Sequence, residues 1–457
     1  MRYDVVIIGG GPAGYPAAIR LAKLGYKVGL IEEDKIGGEC TNYGCVPTKA
    51  LGTIAHSLER LANAKLKIVY ADDVIRSSLA FAREKASEVS ESIERLLQHY
   101  GVDIIRGKAK VYSKENVEIN GRKIAAKKGI VLATGSRPYA SKMFHIDGKR
   151  VHDNKTILHW EPDASSSIAI IGGGYVGVEY SYILAMMGLR VTLIEALDRL
   201  LPGMDRDFGL LARRTLAKLG VSVFTNSSVD SVDITDNEIK IKIKNKLLSV
   251  DNLLIATGRE PRNEEAKRLG LELDERGFVK IDACGRTNLQ GVYAAGDLTG
   301  PPLLAHKAMR QSINIAECIA GDNPHELEPI PSVVFGPIDL VSVGLTLTQA
   351  RKLGIKAIEV RVPSGGLAKS RIYGIREGFV KIVYEKNTRR IIGIHMAYVD
   401  ASEVASTAAV IVGRKLTLEE ASEIIFPHPT MSEAVSEALE AANNRAVHIT
   451  GIRVRET

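Results

Sequence analysis

Cys40 and Cys45 lie five positions apart in Gly37-Gly38-Glu39-Cys40-Thr41-Asn42-Tyr43-Gly44-Cys45-Val46-Pro47-Thr48-Lys49, just downstream of a glycine-rich dinucleotide fingerprint. A dithiol beside a bound dinucleotide can pass two electrons between sulfur and cofactor. In a regular helix, residues five apart have Cα atoms roughly 8–9 Å apart, more than the roughly 7 Å that a disulfide tolerates. The pair therefore cannot lie wholly within regular helix. Asn42 and Gly44 both accept unusual backbone angles and are expected to form a turn. Cys45 then falls at or near the first turn of the next helix, where Pro47 loses no hydrogen bond and a thiol is favoured as thiolate. The alternatives are two unrelated buried thiols or a structural disulfide, a feature rare in reducing compartments.

The elements that must position this pair appear as an internal repeat. Val5-Val6-Ile7-Ile8 precedes Gly9-Gly10-Gly11-Pro12-Ala13-Gly14, and Ile168-Ala169-Ile170-Ile171 precedes Gly172-Gly173-Gly174-Tyr175-Val176-Gly177. Each copy reads as strand, GxGxxG turn, helix and a second strand ending in an acid, Glu32 or Glu195, 23 positions after the first glycine. One GxGxxG is weak; the full unit occurring twice is strong. Gly9, Gly11 and Gly14, like Gly172, Gly174 and Gly177, let the backbone approach a pyrophosphate at a helix N-terminus, and the acid accepts bonds from a ribose hydroxyl. A strand-rich stretch from Val111 to Leu132 leads into Ala133-Thr134-Gly135, matched later by Leu253-Leu254-Ile255 and Ala256-Thr257-Gly258. Each reads as a strand closing a nucleotide unit, which makes Thr134, Gly135 and Gly258 cofactor-binding candidates. Between the copies, Ser87–His99 is expected to be an amphipathic helix with Val89, Ile93, Leu96 and Leu97 on one face.

The rest of the chain changes character after about Arg262. A strand runs into Gly296-Asp297, a helix is expected from His306 to Ile319, and proline-bearing residues 322–331 form a linker. Strands at Val380–Tyr384 and Ile391–Met396 and a helix from about Ser402 to Val412 make a third, α+β unit. The length of 457 residues requires several domains. The expected fold is α/β: two Rossmann-like dinucleotide-binding domains and a C-terminal α+β dimerisation domain. The expected boundaries are 1–147, 148–262, a central segment 263–328 returning to the first domain, and 329–457. Four cysteines are too few for a disulfide scaffold, and Cys284 and Cys318 are expected to be buried packing thiols. Basic residues number 61 and acidic 54, and they are dispersed, so no nucleic-acid patch is expected. With no leader-like segment and no apolar run of spanning length, the chain reads as cytoplasmic and free of membrane.

In this order the motifs resemble the pyridine nucleotide–disulfide oxidoreductases with a CxxxxC redox pair, over essentially the whole chain, and within that family most closely the dihydrolipoamide dehydrogenase branch. The landmarks are Gly9–Gly14, the stretch Gly38–Lys49, Gly172–Glu179, Gly296-Asp297 and His428-Pro429-Thr430-Met431-Ser432-Glu433. The resemblance implies FAD in the first unit and NAD in the second, with Asp297 on the flavin's ribityl chain. It implies that Cys45 faces the flavin, that Cys40 exchanges with substrate, and that Lys49 sits near the flavin ring paired with Glu179. His428, oriented by Glu433, would be the acid–base residue. The implied protein is a homodimer with shared active sites that oxidises a dithiol, free or on a lipoyl domain of a 2-oxoacid dehydrogenase complex. No metal is implied.

There are departures from the family pattern. Phe426 stands where a His is common, Glu39 and Thr41 flank the first cysteine in place of Thr and Leu, and Tyr175 replaces a small aliphatic residue. They bear on the substrate more than on the reaction class. Glu195 disfavours the 2′-phosphate of NADP by like charge, which argues against a glutathione reductase, and the tail Gly451–Thr457 lacks the cysteine pair of a mercuric reductase. Another disulfide reductase of the family is the first alternative. A flavoprotein sensor or binding component without turnover is the second.

Overall fold

The computed structural model describes residues 1–67, 73–139, 141, 143–163, 165–235 and 238–457. These fall into two compact units. The first comprises Met1–Leu51, Arg76–Trp160 and Thr257–Leu327; the second comprises Gly52–Ile75, Glu161–Ala256 and Glu328–Thr457.

In the first unit the strand Arg2–Ile8 runs parallel to Val28–Glu32 on one side and to Arg122–Leu132 on the other, with Asp103–Arg106 and Val292–Ala294 as parallel outer partners. Its side chains alternate between two buried faces. Val5 and Ile7 pack with Ala17, Leu21, Leu97 and Ile315, while Val6 and Ile8 pack with Ile130, Leu132 and Val292. Burial on both faces is why the strand is a continuous apolar run. The register pairs Ile8 with both Ile31 and Leu132, and Leu132 with Ala294. The carboxyl ends of these strands are therefore level, and Gly9, Glu32, Ala133 and the Gly296–Thr299 turn all follow from one edge.

The helix expected over 87–99 extends over Val74–His99. Its buried face is Leu79, Ala82, Ala86, Ile93 and Leu97, whereas Val89 and Leu96 are exposed. The alanines upstream shift the apolar stripe away from the two larger residues.

The second unit repeats the parallel arrangement, with Ser167–Ile171 between Arg190–Ile194 and Asn252–Ile255 and with Ser222–Phe224 outermost. Its C-terminal part is an antiparallel sheet in the order Ser332–Val334, Asp339–Gly344, Ile391–Tyr398, Phe379–Glu385, Ala357–Pro363, Arg453–Glu456. Helices Ala401–Gly413 and Glu433–Ala442 share a core with this sheet that includes Val341, Ile382, Met396, Ile411 and Leu439. Among the described residues no helix is long and apolar enough to cross a membrane.

Cys284 and Cys318 are bonded to each other, with Cα atoms 5.8 Å apart, and are not the free packing thiols expected from sequence. The Asp282–Arg286 turn brings Cys284 to the end of helix Ala305–Ala320, an encounter that a separation of 34 residues does not announce.

Candidate active site

The two glycine turns are built alike. Gly9 has φ +105°, and a side chain there would meet the carbonyl of Ala133. A Cβ on Gly14 would fall 1.8 Å from the Gly9 carbonyl oxygen, and one on Gly177 would fall 1.8 Å from that of Gly172. The first and third glycines thus pack helix against strand. The middle glycines differ: a Cβ on Gly11 meets nothing nearer than 3.7 Å and one on Gly174 nothing within 4 Å. That is the arrangement required for a phosphate to approach the backbone at the start of helices Tyr15–Lys23 and Tyr175–Met186.

The terminal acids match as well. Glu32 Oε2 accepts from Gly10 N–H at 2.6 Å and Oε1 from Asp34 N–H at 2.8 Å. Glu195 Oε2 accepts from Gly173 N–H at 2.6 Å and Oε1 from Leu197 N–H at 2.7 Å. Each carboxylate is anchored beside its turn and keeps lone pairs for a ribose hydroxyl. Both turns fit a dinucleotide.

The dithiol is present as a Cys40–Cys45 disulfide with Cα atoms 4.8 Å apart. Helix Gly38–Tyr43 ends at Gly44, and Cys45 opens helix Cys45–Asn63. The break falls at Gly44 alone. Asn42, expected in a turn, is helical and buried, because its amide donates to the carbonyls of Ile36 and Gly38 at 3.0 and 2.9 Å. A Cβ on Gly38 would lie 2.7 Å from Gly11 Cα, and Gly37 N–H donates to the Gly10 carbonyl at 2.9 Å. The redox stretch is thereby laid directly on the first phosphate turn. Cys45 is exposed and Cys40 partly buried.

Asp297 lies on the short Gly296–Thr299 turn and its Oδ2 accepts from Ser136 Oγ at 2.5 Å. Helix Ala305–Ala320 supports that turn through Gln311, whose Oε1 accepts from Gly296 N–H, and through Lys307, which donates to the Gly300 carbonyl. Burial pulls the Lys307 ammonium down from its ordinary pKa, against the charge of Asp297. Thr134 Oγ1 donates to the Arg262 carbonyl, and Gly135 and Gly258 take φ of +69° and +111°.

The first unit thus holds Gly9, Gly11, Gly14, Glu32, Cys40, Cys45, Lys49, Thr134, Gly135, Gly258 and Asp297. The second holds Gly172, Gly174, Gly177, Glu179, Glu195, His428 and Glu433. Glu179 has a partner not foreseen from sequence, accepting from Phe335 N–H at 3.1 Å. Burial, and beyond it the charge of Glu179, raises the Tyr175 phenol against a hydrogen bond with Ser332.

His428 Nδ1 lies 2.7 Å from Glu433 Oε1, while Glu433 Oε2 accepts from Thr430 N–H at 2.9 Å. Glu433 begins helix Glu433–Ala442, where the helix dipole favours an anion. The imidazole is 70% exposed and nearby Ile425 is 94% exposed. Sequence reasoning missed Ser136, Asn154 and Arg259, which join the site only through long-range contacts and carry no spacing signal.

Two parallel dinucleotide-type units, a disulfide laid on the first and an α+β C-terminal sheet define a flavin-linked disulfide oxidoreductase. The chain belongs to the pyridine nucleotide-disulphide oxidoreductase family: residues 3–312 match that family and residues 330–439 match its dimerisation domain. Its cofactors are FAD and a pyridine nucleotide. It is 35% identical over 458 residues to the dihydrolipoyl dehydrogenase of Thermus scotoductus, covering 98% of this chain and 99% of that one, and 32% identical over 464 residues to that of Zymomonas mobilis, covering 98% and 99%. Among solved structures, the HOCl-induced flavoprotein disulfide reductase RclA from Escherichia coli matches with TM-score 0.86 at 27% identity, over 96% of this chain and 99% of that one.

Proposed function

We propose that the protein is an NAD-linked dihydrolipoamide dehydrogenase acting as a homodimer, with the functional division 1–147, 148–262, 263–328 and 329–457. The observation that carries this reading is the His428–Glu433 pair, intact yet exposed beside Ile425, within the part of the chain that matches the dimerisation domain. An acid–base dyad left open to solvent is suited to complete the disulfide site of a second copy.

Because Nδ1 is committed to Glu433, His428 Nε2 is the atom free to take a proton from a substrate thiol. The resulting thiolate attacks Cys40 Sγ, the Cys40–Cys45 bond breaks and Cys45 leaves as thiolate at the start of its helix, where a negative charge is favoured. The second substrate thiol then attacks the substrate sulfur of the mixed disulfide, its proton passing to the departing Cys40 thiolate, and the substrate disulfide closes. Held on the Gly9–Gly14 turn, FAD would supply a two-electron acceptor for the dithiol, and NAD⁺ held on the Gly172–Gly177 turn would supply the final hydride acceptor. Lys49 is proposed to lie near the flavin, and Asp297 to hold its ribityl chain.

The names of the relatives support dihydrolipoamide, free or on a lipoyl domain of a 2-oxoacid dehydrogenase complex, as the dithiol. The likeness to RclA supports a second reading, NADH-driven reduction of another disulfide. Steady-state turnover separates them. NAD⁺-dependent oxidation of dihydrolipoamide should exceed NADH-driven reduction of glutathione disulfide at least about tenfold in kcat/KM; the reverse order overturns the first reading, and no turnover with either leaves a sensor.

A further inference from the structure

Cys40 sits in a helix of six residues, Gly38–Tyr43, too short to be stable by itself. While the disulfide is closed, the bond to Cys45 fixes Cys40. Once substrate opens that bond, other contacts must keep Cys40 in place, and Glu39 supplies them. Asn154 Nδ2 donates to Glu39 Oε1 at 2.7 Å and to the Tyr43 carbonyl at 2.8 Å, bridging the helix on both sides of Cys40. Arg259 Nη2 lies 3.2 Å from the same Glu39 oxygen, its Nε donates to Ser136 Oγ at 2.7 Å, and Ser136 Oγ donates to Asp297 at 2.5 Å. Asn154 is only 8% exposed and the Glu39 and Arg259 side chains are 28% and 22% exposed, so the bridge is partly shielded from water. All these residues belong to the first unit.

We propose that Glu39, gripped by Asn154 and Arg259, is a positioning residue that keeps the opened Cys40 thiol aligned for re-closure with Cys45 and ties the exchange helix to the Asp297 segment. Holding two reacting thiols together raises their effective concentration and shifts the dithiol–disulfide equilibrium toward the disulfide. In the closed state the covalent bond already supplies most of that order, so the clamp forms there at little further cost and contributes more to the disulfide than to the opened dithiol.

The inference rests on Cys40–Cys45 being the redox pair. That reading is checked separately, in wild-type protein, by mass spectrometry of alkylated peptides: on equilibration with lipoamide and dihydrolipoamide, Cys40 and Cys45 should become alkylatable together, and their failure to do so sinks the reading whatever Glu39 does. In the same redox buffers, Glu39→Ala holoenzyme should show an equilibrium displaced about tenfold toward the dithiol, about 30 mV less negative. FAD content should stay at the wild-type value, and the oxidised form, which loses the clamp, should melt only a few degrees lower. Glu39→Gln retains the acceptor oxygen for Asn154 and Arg259 and should lie within about threefold of wild type, since it keeps the clamp while losing the charge. Should Glu39→Ala fold poorly, Asn154→Ser removes the bridge from the other side and should move the equilibrium in the same direction. An Ala variant within threefold of wild type, a Gln variant displaced as far as the Ala variant, or an unmoved Asn154→Ser protein overturns the proposal.

Discussion

Two alanine substitutions in the second fingerprint should fail in different ways. At Gly177 the added methyl would stand 1.8 Å from the Gly172 carbonyl oxygen, and both partners are backbone. Helix Tyr175–Met186 would have to withdraw from strand Ser167–Ile171 by at least about 1 Å, a cost toward the upper end of the 1–3 kcal/mol seen for overpacking. That corresponds to a melting temperature lowered by roughly 5–10 °C for a unit of this size. At Gly174 the methyl meets nothing within 4 Å, and the residue already has an extended backbone with φ −77°. The loss there is confined to a poorer helix cap, below about 1 kcal/mol. The methyl does occupy the space through which a pyrophosphate must reach the helix N-terminus, so NADH affinity should fall at least about tenfold, or 1.4 kcal/mol. Thermal melts of the two holoenzymes, together with NADH titration by fluorescence, measure both effects. Flavin content serves as the control, because the first fingerprint is untouched. A Gly174→Ala protein that binds NADH normally, or a Gly177→Ala protein that melts with wild type, would refute the division of labour among the glycines.

Four further outcomes are expected. Replacing Glu195 with Ala removes the carboxylate that Gly173 and Leu197 hold, and should narrow the preference for NADH over NADPH; a wild-type preference for NADPH contradicts the assignment. Coexpressed Cys40→Ser and His428→Ala chains should recover roughly a quarter of wild-type activity through mixed dimers with one intact site, and isolated mixed dimers no more active than either homodimer would exclude a shared site. Cys284 and Cys318 should resist alkylation in native protein, and a Cys284→Ser/Cys318→Ser variant should melt several degrees lower, since the bond closes a 34-residue loop containing the Gly296–Thr299 turn. Burial, opposed by a hydrogen bond from Tyr182 and reinforced by the charge of Asp339, raises Glu59 from 4.5 to about 7. A carboxyl raised in this way contributes stability below its unfolded pKa and loses it as pH rises through the folded value, so between about pH 5 and pH 8 wild type should lose melting temperature more steeply than Glu59→Gln.

The parts of this protein legible in the chain are those governed by local rules. Each fingerprint packs its strand, turn and acid into a short span, and the structure repeats even the two hydrogen bonds on Glu32 and Glu195. The distance limit on a disulfide was enough to require a break between Cys40 and Cys45, and the break falls at Gly44. Where tertiary partners outweigh local preference, the reading from sequence stopped. Asn42 is helical because two nearby carbonyls use its amide, and Val89 and Leu96 face solvent because alanines upstream supply the buried stripe. Cys284 and Cys318 meet only because a turn and a helix end converge across 34 residues. The chain Asp297–Ser136–Arg259–Glu39–Asn154 joins residues more than a hundred positions apart, and no spacing along the sequence encodes it. Motifs record which atoms must lie close along the backbone; the folded sheet, by levelling the ends of distant strands, decides which side chains hold the dithiol.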